Sequence, residues 1–391
     1  MLFQNSLAAF SPWRFVAKTA AERQQIVAAT TPKIGVVTYF ANSLKNQKFR
    51  ELSVGSRLRF LLIPCLRSST IRLFASVSSN SQGIRHRAWF WKRKAAMNKL
   101  QSLLEDSPVL LADGAMGTML FEAGLQSGEA PQAWNVTHPD QVQEIHRAYL
   151  DAGSRLVLSN TFSCNRFRLG RHNLQGQVVE LNQAGAALLR AEVDRAGGKA
   201  LVAGDIGPSG ELLAPLGSLK FADAVEAFAE QAGALLAGGA DVIWLETMSA
   251  LQEIQAAIEG VRKVSQDVPV IATLTFEKHG RTMMGVSAEQ AVKALQGWGV
   301  SAVGGNCGTG PDELLSIIRV MKNSGATVPL VFKPNAGVPE LIDGQTTYSA
   351  TAAVMAQCAL AAADAGASII GACCGSTPDH LRAMRDALKS R

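Results

Sequence analysis

Three cysteines carry the strongest chemical signal in this chain of 391 residues. Cys307 stands in "VGGNCGTG", and Cys373 and Cys374 stand together in "IIGACCGST", each group at the end of an apolar run. Neighbours in a regular strand face opposite sides, so an adjacent pair can serve one point only where the strand stops and the chain bends. Gly371 and Gly375 flank the pair and permit such a bend. Three thiolates and one open position describe a catalytic zinc site, because structural sites close with four protein ligands. Cys164, in "SNTFSCNRF", is the candidate for a fourth sulfur. The plainer alternative is that these cysteines are small buried hydrophobes, as free cysteine often is. Cys358, in "AAVMAQCALAAA", reads as core, and Cys65 completes a set of six. Six cysteines in a chain of this length make no disulfide framework, which makes a reducing, cytoplasmic setting the expectation.

Other residues have chemistry to offer. Glu246 ends the otherwise apolar "DVIWLETM" and can bind an ammonium group, act as a base, or pair with a neighbouring loop. Asp113 and Gly114 open "DGAMGT", where glycines let the backbone approach a ligand; alternatively Asp113 caps the segment that follows. Lys333, in "VFKPNAGVP", offers the amine that a metal-free lyase or aldolase would use to form a Schiff base. The six histidines show no His-Glu-x-x-His spacing, and no serine nucleophile elbow occurs.

These residues need elements to hold them. From residue 107 the chain alternates short apolar runs with longer helical segments. The strands are expected at Val109–Ala115, Arg155–Phe162, Ala200–Ile206, Asp241–Thr247, Pro269–Phe276, Ala302–Cys307, Pro329–Pro334 and Ser368–Cys373. Helices are expected at Pro139–Ala152, Gln177–Ala196 and Ala222–Ala237, then after Ser249, Ser287, Pro311, Ser349 and Thr377-Pro378. An uninterrupted βα series implies a parallel sheet buried on both faces, and its length suits one (β/α)8 TIM barrel. A doubly wound sheet is the runner-up, weakened because "DGAMGT" is not the Gly-x-Gly-x-x-Gly of a dinucleotide fold. In a barrel the chemistry sits at the C-terminal strand ends. Here those ends read Asp113-Gly114, Asn160-Thr161, Asp205-Ile206-Gly207, Glu246-Thr247, Thr275-Phe276, Asn306-Cys307, Lys333-Pro334-Asn335 and Cys373-Cys374.

Residues 1–96 differ from the rest. They hold 16 lysines and arginines against two acids, whereas residues 97–391 hold 22 basic and 30 acidic residues. The net charge of +6 therefore hides a mildly acidic body with no basic stripe for nucleic acid. Three origins fit the basic stretch: a transit-like targeting segment, a disordered basic tail, or translation that really begins at Met97. We expect a poorly structured extension over 1–96 and the barrel over 97–391. No apolar run approaches the roughly 20 residues that span a bilayer, and the run from Phe60 to Leu66 is broken by Pro64.

Taken in order, "LLADGAMGTML", "LSNTF", "GDIGPSG", "WLETM", "GGNCGTG", "KPNAGVP" and "GACCGSTPDHLRAM" resemble the homocysteine S-methyltransferases over roughly residues 106–388. The likeness is greatest to the homocysteine-binding barrel of cobalamin-dependent methionine synthases. It implies zinc held by Cys307, Cys373 and Cys374, homocysteine held by the Asp113-Gly114 turn and by Glu246 at its ammonium group, and methionine as product. Asn160, Thr161 and Asn306 match polar positions of the same mouth. No Asp-x-His-x-x-Gly signature of a corrinoid domain occurs, so the resemblance implies a methyl donor that is free or rides on a separate corrinoid protein. Methyl transfer to another small thiol, the Lys333 lyase and a non-catalytic zinc protein are the alternatives.

Overall fold

The computed structural model describes residues 99–391 except Lys278 and 343–344, together with four strands nearer the N-terminus. Those strands, Val37–Phe40, Leu52–Ser53, Leu58–Pro64 and Thr70–Val77, pair antiparallel into one sheet. The extension expected over 1–96 otherwise lies outside the described residues.

Eight parallel strands follow: β1 (Leu110–Leu111), β2 (Leu156–Leu158), β3 (Leu201–Ile206), β4 (Val242–Met248), β5 (Val270–Leu274), β6 (Ala302–Cys307), β7 (Leu330–Pro334) and β8 (Ala367–Ile370). Their order is β1-β8-β7-β6-β5-β4-β3-β2, and a parallel bridge from Ala112 to Leu156 joins the two ends. This is the expected (β/α)8 barrel. Its helices are α1 (Pro139–Ala152), α2 (Val178–Arg195), α3 (Phe221–Ala237), α4 (Leu251–Val264), α5 (Ala288–Gly297), α6 (Pro311–Asn323), α7 (Ala352–Asp364) and α8 (Pro378–Lys389).

The two-residue period of a strand decides what points where. Leu201 and Ala203 of β3, Val242 and Trp244 of β4, Val331 of β7 and Ile369 of β8 face inward and form the barrel's inner core. Leu100, on the helix Lys99–Asp106, is buried among them. Their neighbours Ile243, Leu245 and Phe332 face outward into the shell beneath the helices. Continuing the inward series by two residues gives Asp205, Glu246 and Lys333, and by four along β8 gives Cys373. The alternation that fills the core thus also aims the polar layer into the mouth.

Several helix starts differ from expectation. The residue before α4 is Ala250, with no side-chain cap; Ser249 stays in the loop, where its carbonyl accepts from Thr282 Oγ1 at 2.7 Å. α7 is capped by Thr351, whose hydroxyl accepts from Val354 N, and not by Ser349. Ser287 does cap α5, in a capping box closed by Gln290. Pro378 stands at the first helical position of α8. A hairpin of Pro339–Ile342 and Gln345–Tyr348, not expected from the sequence, follows β7.

Candidate active site

A cavity of about 380 Å³ opens at the C-terminal mouth of the barrel. Of the residues expected there, Asp113, Gly114, Asn160, Thr161, Glu246, Cys307, Cys373 and Cys374 line it, and Lys333 lines it too. Asn306 sits behind it.

The three sulfurs converge. Cys307 Sγ lies 2.8 Å from Cys373 Sγ and 3.9 Å from Cys374 Sγ, and all three fall within 4.8 Å of one another. None forms a disulfide. Zinc–sulfur bonds of about 2.3 Å in a tetrahedron set sulfurs about 3.8 Å apart. The second distance already matches, and the first must open by about an ångström to admit a cation. Hydrogen bonds from Cys307 and then Cys373 hold the Cys374 thiol down at about 3 against the pull of burial. Cys307 is pushed up by its hydrogen bonds to Cys373 and then Cys374; for Cys373 the bond with Cys307 pulls down, but the bond with Cys374 and burial outweigh it and push it up to about 11. A cluster that already favours one thiolate, with two more sulfurs beside it, fits a thiophilic divalent cation.

Backbone geometry explains the convergence. Cys307 has φ 57°, the left-handed region, which turns its side chain off the strand alternation. Thr247, at the end of β4, has φ 58°, a strained value for a β-branched residue. Buried Asn306 ties the two together. Its Oδ1 accepts from Thr247 N at 2.8 Å, its Nδ2 donates to Thr247 Oγ1 at 2.7 Å, and the same nitrogen lies 3.9 Å from Cys373 Sγ. On the other side Gly375 has φ 76°, and a Cβ there would lie 2.2 Å from the Tyr348 ring. Gly371 does not bend the chain as expected; it lets β8 approach β1, since a Cβ would lie 2.8 Å from Asp113 O. Gly114 likewise serves packing. Its missing Cβ leaves room for Ser376 Oγ, Tyr149 and Leu381.

A charged layer lies across the cavity from the sulfurs. Lys333 is 3% exposed, with Nζ 3.5 Å from Asp113 Oδ1 and 3.4 Å from Glu246 Oε2. Asp113 Oδ2 accepts from Leu158 N at 2.8 Å, so this residue braces β2 and does not cap the following helix. Asp113 Oδ1, Glu246 Oε2 and Asp205 Oδ1 are buried without a hydrogen bond. Burial pushes Asp113 and Glu246 up to about 7, with Lys333 opposing, and it raises Asp205 as well. For Lys333 burial disfavours the charge, but Glu246 and Asp113 outweigh it and keep the ammonium. The directions agree physically: one ammonium is shared among three acids, so it is well served and they are not. A lysine held this firmly as a cation is no free amine, which corrects the Schiff-base reading.

Thr161 and Asn160 are partly committed elsewhere. Thr161 Oγ1 donates to Asp205 O at 2.8 Å, and Asn160 Nδ2 donates to Pro131 O and Asn135 Oδ1. Cys164 is fully buried among Leu169, Val178 and Leu181, and burial raises its thiol far above the usual range; it is core and no fourth ligand. Cys358 packs against the core, as expected. Two contributors went unrecognised in the sequence. Asp205 appears there only as a strand end, although its inward register follows from Leu201 and Ala203. Tyr348, from the unexpected hairpin, stands beside the cysteine pair and helps to hold the Cys374 thiol down.

A TIM barrel with three thiols and a charged layer at its C-terminal mouth has the donors for a metal ion beside groups that suit a charged substrate, the layout of an enzyme site. The family model for homocysteine S-methyltransferase matches residues 110–388, and the chain belongs to that family. It is 36% identical over 295 residues to a methionine synthase of Mycobacterium tuberculosis and 35% identical to one of Mycobacterium leprae. Each match covers 72% of this chain but 24% of the relative, so the chain spans about a quarter of their length. The metallated form of the Escherichia coli homocysteine methyltransferase MmuM superposes with TM-score 0.60 at 26% identity, covering 74% of this chain and 99% of that one. That solved relative binds metal, and the cysteine cluster here has the donors for one.

Proposed function

We propose that this chain transfers a methyl group to the thiol of homocysteine, giving methionine. The observation that carries the proposal is three sulfurs within 4.8 Å facing a layer of three acids and one lysine in a single cavity. Cys307, Cys373 and Cys374 would hold zinc, which supplies a place where a substrate thiol ionises at neutral pH instead of near 8.5. A reducing, cytoplasmic setting suits ligands that are free thiols.

The remaining work belongs to side chains of the barrel. Lys333 compensates one of the three carboxyls, and an α-ammonium from the substrate compensates a second. Glu246 and Asp113 carry buried oxygens that make no hydrogen bond and share one ammonium, that of Lys333 at 3.4 and 3.5 Å, so a second ammonium would be welcome there. This favours an amino-acid thiol over a simple one, because a thiol without an ammonium leaves the acids as poorly served as before. Holding the substrate by its α-carbon end orients its sulfur and removes much of the entropic cost of alignment. The thiol proton passes to solvent. The sulfur lone pair forms the new S–C bond while the bond from that carbon to the donor atom breaks, its electron pair staying on the donor.

The test is direct. Purified full-length chain supplied with zinc, homocysteine and methyl donors should form methionine, read by mass spectrometry. Cys374→Ala should lose zinc and turnover together while its circular dichroism stays that of the barrel. Glu246→Gln should raise the homocysteine Kd by about 10- to 100-fold, the worth of one charged hydrogen bond. A chain that binds neither zinc nor homocysteine overturns the proposal.

A further inference from the structure

Of the three acids in the charged layer, Asp205 alone stands without a partner. Asp113 takes Leu158 N on one oxygen and has Lys333 at 3.5 Å from the other, and Glu246 has Lys333 at 3.4 Å. The Asp205 carboxyl has neither an ion pair nor a hydrogen bond among the described residues, and its Oδ1 is fully enclosed. Its backbone, by contrast, is held firmly. Asp205 N donates to Ser159 Oγ at 3.2 Å, and Asp205 O accepts from Thr161 Oγ1 at 2.8 Å. Asp205 also pairs across β3 and β4 with Trp244, two residues before Glu246, so the two carboxyls are diagonal neighbours on the wall of the cavity. A rigid strand end thus presents to that cavity a carboxyl that is 5% exposed and has nothing in the protein to bond.

An α-amino acid carries its ammonium and its carboxylate on one carbon. Where Glu246 and Asp113 take the ammonium, the carboxylate must come to rest beside the same acids. It needs a donor there, and the nearby ones are engaged. Lys333 is divided between Asp113 and Glu246, Thr161 Oγ1 donates to Asp205 O, and Asn160 Nδ2 donates to Pro131 O and Asn135 Oδ1. An ionised Asp205 would worsen the problem by adding one more anion. A neutral Asp205 removes that charge and supplies an O–H instead. Its surroundings favour the neutral form: burial first and then Glu246 act against the charge, Asp113 and Cys373 add to them, and Lys333 alone opposes. Without a cation or a donor to replace water, a buried carboxyl keeps its proton.

We infer that Asp205 is a further substrate-binding residue that works as a neutral acid: its O–H donates to the α-carboxylate of the bound amino acid while Glu246 and Asp113 hold the ammonium. The inference rests on the proposed methyl transfer to homocysteine. It divides three like residues into two acceptors and one donor, the set that a zwitterion requires. A hydrogen bond to an ionised acceptor is roughly twice as strong as a neutral one. A thiol with an ammonium but no carboxylate leaves the Asp205 proton unused, so the layer selects an amino acid and not merely an amine.

The test is titration calorimetry on the zinc-loaded full chain with homocysteine and with homocysteamine, which keeps the thiol and the ammonium and lacks the carboxylate. Wild type should bind homocysteine at least about tenfold more tightly than homocysteamine. Asp205→Ala should raise the homocysteine Kd about tenfold or more and leave that of homocysteamine within about twofold. Asp205→Asn offers an uncharged N–H donor in the same place and should bind homocysteine within about threefold of wild type. Asparagine as damaging as alanine would mean that an ionised Asp205 serves the ammonium, and an equal loss for both thiols in Asp205→Ala would mean that it does not read the carboxylate; either overturns the inference. Where neither variant folds, the wild type decides. Its infrared carbonyl band of a protonated carboxyl should persist in the homocysteine complex at neutral pH, and loss of that band, or equal affinity for the two thiols, overturns the inference. A wild type that does not bind homocysteine at all sinks the proposed function, and this inference with it.

Discussion

Lys333 shows how one buried charge can organise several others. It stands between Asp113 and Glu246, and Asp205 lies within its influence. Breaking a buried ion pair by deleting one partner costs about 3–5 kcal/mol unless the survivor can neutralise itself. Here the survivors can, by taking up protons. In Lys333→Met the acids lose their cation, and their folded pKa values move further above the unfolded ones. A raised acid binds more protons folded than unfolded, so its contribution to stability falls as pH rises. Lys333→Met should therefore be markedly destabilised at pH 8 and much less so at pH 5. Urea unfolding at the two pH values reads this, and an equal loss at both would mean that Lys333 does not compensate these acids. The residue types of the site were legible in the sequence because sulfur and charge at strand ends have few bland uses. The partnership of Lys333 with two acids was not, since it depends on which strands are neighbours across the mouth.

At the level of elements, Asn306 joins two strand ends that depart from regular geometry in the same way. Thr247 and Cys307 both take left-handed backbone, and the Asn306 amide makes both of its short bonds to Thr247. Such strain persists only where the surroundings hold it. Asn306→Ala removes the hold. Positioning partners of metal ligands are worth about 10- to 100-fold in metal affinity, and we expect a loss in that range by competition with a chromophoric chelator. Zinc affinity equal to wild type would leave Asn306 a purely structural bridge. Hydrophobic alternation revealed all eight strands, and β6 matches its expected range, Ala302–Cys307. β1 and β2 are shorter than expected, because Asp113 and Asn160 have left the ladder for the mouth. The hairpin after β7 had a readable signal in the sequence Asp-Gly between its paired strands, a dipeptide common in tight hairpins. Prolines and glycines nearby masked it as loop. The start of α7 was displaced because Ser349 and Thr351 offer the same capping chemistry two residues apart, and only packing selects Thr351.

On the scale of the whole barrel, stability depends on groups far from the mouth. His146, on α1, is fully buried, and both ring nitrogens lack a hydrogen-bond partner. Burial lowers it from 6.5 to about 4, with only Glu192 opposing. Glu192 is itself engaged by Arg147 and Arg195, which limits its help. A base whose folded pKa is depressed binds protons more readily when unfolded. Its contribution is intact above the unfolded value near 6.5 and is lost as pH falls toward about 4. At roughly 1.4 kcal/mol per unit the loss reaches about 3 kcal/mol across that window. Carboxylates titrate over the same range, so wild type alone cannot isolate it. His146→Leu, similar in volume and free of the buried polar nitrogens, supplies the reference. The stability of the variant relative to wild type should climb as pH falls from 7 to 4.5 in urea unfolding, approaching the full difference near pH 4. Parallel profiles for the two proteins would place the acid sensitivity of this barrel elsewhere, with the carboxyls around Lys333 the next group to replace.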